Sequence, residues 1–110
     1  MNHDMKLVDF AFQAIKNKEK DIEVRLNDDK RRKIKIGDTI TFHHLDTGET
    51  IKVKVINLYE FKTFKELFDQ FDYKRIGVNK EDTYKIMDSF YSEEEQEKYG
   101  ALGIEIKLID

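Results

Sequence analysis

Cysteine and proline are both absent from this chain of 110 residues, and only five glycines occur. Without cysteine there are no disulfides, thiolate metal sites or cysteine nucleophiles, and a reducing cytoplasm is the expected setting. The lack of proline and scarcity of glycine argue against a flexible linker, so residues 1–110 are expected to form one domain. No apolar run approaches the roughly 20 residues of a membrane span, and Met1 to Lys6 has no apolar signal-peptide core, so no membrane partner and no export are expected. There is no Gly-rich phosphate loop and no serine-centred nucleophile elbow. Charge of one sign is lacking too. The 20 Lys and Arg nearly balance 23 Asp and Glu, for a net charge of -3, which excludes a bulk polyelectrolyte binder and leaves room for a local basic patch.

Hydrophobic residues make up 39% of the chain and aromatic residues 12%, enough for one core. After Leu7 and Val8, Asp9 fits the N-cap of a short helix with Phe12 and Ile15 on one face, ending in the Lys-rich stretch Lys16 to Lys20. From Lys20 to Leu26 the period becomes two. Ile22, Val24 and Leu26 alternate with Asp21, Glu23 and Arg25, the pattern of a half-buried strand with one apolar and one ionic face. Asp28 to Lys35 reads as a charged loop or short helical turn, and Gly37-Asp38 as a turn before a second strand with Ile40 and Phe42 inward. Asp46-Thr47-Gly48-Glu49 has hairpin-turn chemistry, with Ile51, Val53 and Val55 on the antiparallel return strand.

Thr63 and Glu66 form a capping box ahead of Phe64, Leu67, Phe68 and Phe71, an amphipathic helix. Tyr84, Met87 and Phe90 suggest a second helix. Ser92 with Glu95 caps a charged one that runs to Tyr99 and stops at Gly100, before a closing strand carrying Leu102, Ile104, Ile106 and Leu108. The fold class expected is α+β, a small partly closed barrel of mostly antiparallel strands flanked by short helices, because closure hides the edges of a small sheet. A ferredoxin-like sandwich fits the long hairpin and short first helix less well.

Two constellations carry candidate chemistry. Glu23 and Arg25 share a strand face about 6–7 Å apart, with Lys20 at the strand's start. Arg25 offers a planar fork to a phosphate, carboxylate or base edge, Glu23 accepts from an amino or hydroxyl group, and Lys20 adds a point charge. Spacing alone favours an ordinary solvated face with a cross-strand ion pair. Lys30-Arg31-Arg32-Lys33-Ile34-Lys35 puts five cations in six residues, suited to a nucleic-acid backbone or simply to a solvated loop offset by Asp28 and Asp29. Tyr99 suits either a cleft wall or a helix end. Phe64, Phe68 and Phe71 suit the core. His43 and His44 point to opposite strand faces and do not compose a metal site by themselves, so neither metal nor cofactor is expected.

The stretch Lys18-Glu19-Lys20-Asp21-Ile22-Glu23-Val24-Arg25 resembles the mark of the ASCH family, Gly-x-Lys-x-x-Glu-x-Arg after the first helix, with Lys18 in place of the glycine. The similarity continues through Arg31 to Asp38, and again from Tyr91 through Gly100 into the last strand, and looks like the small stand-alone bacterial form. The resemblance implies a PUA-like barrel with Lys20, Glu23 and Arg25 lining a cleft against the first helix, and RNA or a nucleotide-like small molecule as partner. Some small members are amidohydrolases acting on acetylated cytidine, in which the motif lysine activates a threonine. Glu23 occupies the position matching that threonine, so a binding role is expected ahead of hydrolysis through Lys20 and Glu23. A third possibility is a protein-interaction domain using the acidic segment Glu93 to Glu97.

Overall fold

The computed structural model describes residues 1–77 and 80–109, with the side chains at 80, 81, 83, 84 and 86 outside that description. The expectation for Tyr84 falls on one of those side chains. Five strands and five helices follow one another in the order β1 (Asn2–Leu7), α1 (Asp9–Lys16), β2 (Ile22–Leu26), β3 (Thr39–His44), β4 (Thr50–Phe61), α2 (Phe64–Gln70), α3 (Tyr73–Ile76), α4 (Lys80–Phe90), α5 (Glu93–Tyr99) and β5 (Ala101–Leu108). The strands form one sheet in the order β1-β3-β4-β5-β2. β1 runs parallel to β3, and the remaining neighbours are antiparallel. The sheet curls until its two edge strands approach one another, the α+β half-barrel that the strand patterns imply. No helix among the described residues is long and apolar enough to cross a membrane.

Apolar alternation builds two cores, one on each side of the sheet. Phe12 and Ile15 of α1 pack with Ile40, Phe42, Val53, Val55 and Ile104 inside the curl. On the outer side, Ile22, Val24 and Leu26 of β2 meet Phe64, Leu67 and Phe68 of α2, Ile76 and Met87. Removal of such side chains from water, at about 1.5–3 kcal/mol each, is what holds short helices with weak intrinsic stability in place. Both faces of β2 are therefore covered, and the ionic face, which spacing alone reads as solvated, is not: Glu23 is only 5% exposed.

Local details depart from the sequence pattern in instructive ways. The strand expected from Lys20 begins at Ile22, because Lys20 and Asp21 belong to the turn after α1. Val8, in extended geometry, is the N-cap of α1 and provides no side-chain bond. Asp9 lies inside the helix, where its carboxylate takes hydrogen bonds from His44 Nε2 at 2.8 Å and Gln13 Nε2 at 3.3 Å. Lys18, in the turn after α1, takes φ +63°, a left-handed conformation that suits glycine and costs another residue about 1–2 kcal/mol. The Ser92–Glu95 capping box is complete, while of the box expected at Thr63–Glu66 only the Thr63 half is seen among the described residues, with Thr63 accepting from the Glu66 N–H. At Gly100 the stop is obligatory: φ is +74° and a Cβ would sit 2.5 Å from the Phe61 carbonyl oxygen.

A buried ionic rung beside the barrel seam

The turn after α1 drops Lys20 into the interior, where Nζ donates to the carbonyls of Ile22 and Ile76, each at 2.6 Å. Its third neighbour is Glu23 Oε1 at 3.2 Å. Glu23 Oε2 in turn accepts a two-pronged contact from Arg25, 3.0 Å from Nε and 2.8 Å from Nη2. Arg25 Nη2 also donates to the Lys6 carbonyl at 2.8 Å. That last bond joins β2 to β1 across the gap between the sheet's two edges, where no backbone ladder runs. Arg25 Nη1 has no hydrogen-bond partner among the described residues.

Burial pushes the Glu23 carboxyl up, but Arg25 and then Lys20 push it further the other way, and it is held below the usual carboxylate range. For Lys20, burial dominates over the attraction of Glu23, and its ammonium lies below the ordinary lysine value. A carboxylate serving as general base near neutrality needs the opposite displacement. Glu23 is thus a fixed acceptor, and Lys20 has an acceptor for each of its protons.

Above this rung lies a cleft of about 350 Å³ with predominantly apolar walls. Lys20, Glu23, Arg25 and Arg31 reach it, together with Phe10 and Ala11 of α1, Leu45 of the hairpin, Met87 and Phe90 of α4, and Tyr91. The trio expected from sequence is therefore brought together against the first helix. Tyr99 is not among the described lining residues: it packs against the outer core, with Lys98 Nζ over its ring at 5.1 Å. Tyr91, just ahead of the Ser92 cap of α5, is the tyrosine among the described residues that line the cleft.

Sequence reasoning missed Phe10, Leu45 and Phe90, exposed by 47%, 51% and 56% at the cleft mouth. A signal existed for Phe10, since it is an aromatic lying off the Ala11, Phe12 and Ile15 face of a short amphipathic helix.

The basic stretch divides. Arg31 Nη1 pairs with Asp28 at 2.7 Å and Arg32 Nε donates to the Asn27 carbonyl at 2.9 Å, fixing a 3₁₀ turn over Arg31–Lys33. Lys30, Lys33 and Lys35 are exposed, and of the five cations only Arg31 reaches the cleft. His43 Nε2 pairs with Asp4 at 2.9 Å and His44 Nε2 with Asp9 at 2.8 Å. His44 Nδ1 accepts from the backbone N–H groups of Asp46 and Thr47, so Nε2 is the protonated nitrogen of its neutral form.

A family model described as ASCH domain matches residues 5–110. The chain is similar to a hypothetical protein, PH0355, solved by crystallography, with 38% identity, a TM-score of 0.88, and coverage of 99% of this chain and 100% of that one. It is also similar to protein PF0455 from Pyrococcus furiosus, solved by solution NMR, with 34% identity, a TM-score of 0.79, and coverage of 100% and 99%. No curated protein matches.

Proposed function

The chain belongs to the ASCH domain family, and on that premise we propose that it binds RNA or a nucleotide by taking one base into the cleft above Glu23 and Arg25. The observation that carries this reading is the contrast within one pocket of about 350 Å³: apolar walls and a floor of fixed, ionised hydrogen-bonding groups. A nucleobase has that character, with two apolar faces and an edge of donors and acceptors. Phe10 and Phe90 enter from different helices and offer ring faces for stacking. Arg25 Nη1 supplies a donor, and Glu23, whose oxygens hold Lys20, the Val24 N–H and Arg25, keeps that guanidinium fixed. The exposed Lys33 and Lys35 add a salt-sensitive, sequence-independent attraction for a phosphate backbone.

Titration with nucleosides and with short single-stranded and hairpin RNAs at low salt tests the reading. Binding is expected to weaken steeply with salt for RNA, and Glu23→Ala is expected to change ligand preference more than Lys33→Ala does. Phe90→Ala, at an exposed position, should alter stability by no more than about 0.5 kcal/mol while reducing affinity about 5- to 150-fold, the worth of one base stack. Absence of binding to every probe at low salt would refute the proposal. Release of acid from an N-acylated cytidine, abolished by Lys20→Ala, would replace binding with hydrolysis.

A further inference from the structure

Beside the cleft, between β1, the loop holding Lys30 and Arg31, and the β3–β4 hairpin, lies a second hollow of about 590 Å³. Its lining is more polar and more strongly charged than that of the first. Four permanent cations, Lys6, Arg25, Lys30 and Arg31, border it, against the single carboxylate of Asp4, which is already engaged by His43 at 2.9 Å. On a chain whose net charge is -3 this is a concentration of positive charge, not a sample of the whole surface. Neither Lys6 nor Lys30 has an ion-pair partner among the described residues, so their charge is not neutralised internally. Arg31 is held in place by Asp28, and Arg25 by Glu23, which gives the hollow two oriented guanidiniums and two exposed ammoniums. On the hairpin side the wall includes Gly48, where nothing lies within 4 Å of where a Cβ would be, and the approach is open.

We propose that this hollow is a phosphate-binding site, placed to take the phosphate of the nucleotide whose base fills the cleft. The placement rests on the reading of the cleft given above. The two hollows share Lys6, Arg25, Arg31 and Leu45, so they adjoin one another, the more apolar one on one side of these residues and the more cationic one on the other. A nucleotide is divided in the same way. A phosphate carries about -1.5 to -2 charges as a monoester and presents several acceptor oxygens. Arginine meets such a group with a planar fork and lysine with a point charge, the two modes assembled here. The inference also separates the cations of the basic stretch: Lys30 and Arg31 act at the hollow together with Lys6 from β1, which lies outside that stretch, whereas Lys33 and Lys35 do not border it.

The test compares the four ribonucleosides, their 5′-monophosphates, dinucleoside monophosphates and inorganic phosphate by calorimetry and by amide NMR shifts. It uses the intact protein and the double variant Lys6→Ala/Lys30→Ala, in which two exposed side chains are shortened. A monophosphate should bind about tenfold tighter than its nucleoside, and the double variant should bring that ratio to about one. Inorganic phosphate should shift the amides of Lys6, Lys30 and Gly48 in the parent protein and not in the variant. A gain retained by dinucleoside monophosphates assigns the site to an RNA strand, and a gain confined to monophosphates assigns it to a free nucleotide. If phosphate moves those amides while no nucleoside binds, the phosphate site stands and the reading of the cleft falls. Equal affinity for nucleoside and monophosphate, or a phosphate response that survives in the variant, overturns the proposal.

Discussion

Replacing Glu23 by glutamine removes one charge from a rung in which Lys20 is 6% exposed and Glu23 5% exposed. The amide keeps the size of the side chain but leaves the Lys20 ammonium with two carbonyls and no counter-ion. Breaking a buried pair by removing one partner costs about 3–5 kcal/mol. With an unfolding entropy near 2.1 cal/mol/K per residue, a chain of 110 residues should lose about 13–22 °C in Tm. The loss has a pH signature. Burial already holds the Lys20 ammonium below its ordinary value of 10.5, and without Glu23 its main offset is gone. Between the folded value and 10.5 the unfolded chain then binds a proton that the folded chain does not, so the variant gains stability as pH rises through that window. Thermal unfolding followed by circular dichroism should show the gap between parent and Glu23→Gln narrowing from pH 7 to pH 10. A Tm loss below about 4 °C, or a gap that does not change with pH, would refute the assignment of Glu23 to a buried, ionised pair.

Two further outcomes concern the scaffold. Lys18→Gly should raise stability by about 1 kcal/mol, because φ +63° is strained for lysine and open to glycine; a lower denaturation midpoint in urea would contradict this. The Asp38 carboxyl is lowered from 3.8 to about 2, first by the hydrogen bond with His3 and then by the Lys35 N–H and the N-terminal ammonium. Its stabilisation is therefore present above pH 3.8 and lost as pH falls toward 2, so urea midpoints measured from pH 5 to pH 2 should fall more steeply for the parent than for Asp38→Asn.

Features written in adjacent residues were legible. The Ser92–Glu95 box, the Gly48 turn and the alternation from Ile22 to Leu26 each specify their own geometry, and each is present in the fold. β1 was not legible. In Asn2–Leu7 only Met5 and Leu7 are buried, and the strand exists because β3, 37 residues further on, supplies its ladder and because Asp4 and His43 clasp across the pair. The burial of the ionic face of β2 is hidden from its spacing for the same reason: what covers Glu23 comes from α1, Ile76 and α4, and a strand's own period cannot report what lies over it. Tyr99 ends α5 and Tyr91 lies just ahead of its cap, and which of them meets the cleft is settled by the path of the chain, not by its composition. Histidine pairing was equally hidden, since the aspartates that hold His43 and His44 precede them by more than thirty residues.

The strand that carries Glu23 and Arg25 has a single neighbour in the sheet, β5, and its partner residues run from Ala101 to Glu105. During synthesis β2 leaves the ribosome well before β5 and waits, its ladder unmade and its ionic rung unroofed, until β5 has followed. Contacts of such long sequence separation form late in folding. A chain clipped before β5 lacks the strand that would align the rung, so the proposed capture of a ligand is conditional on β5 being made and docked.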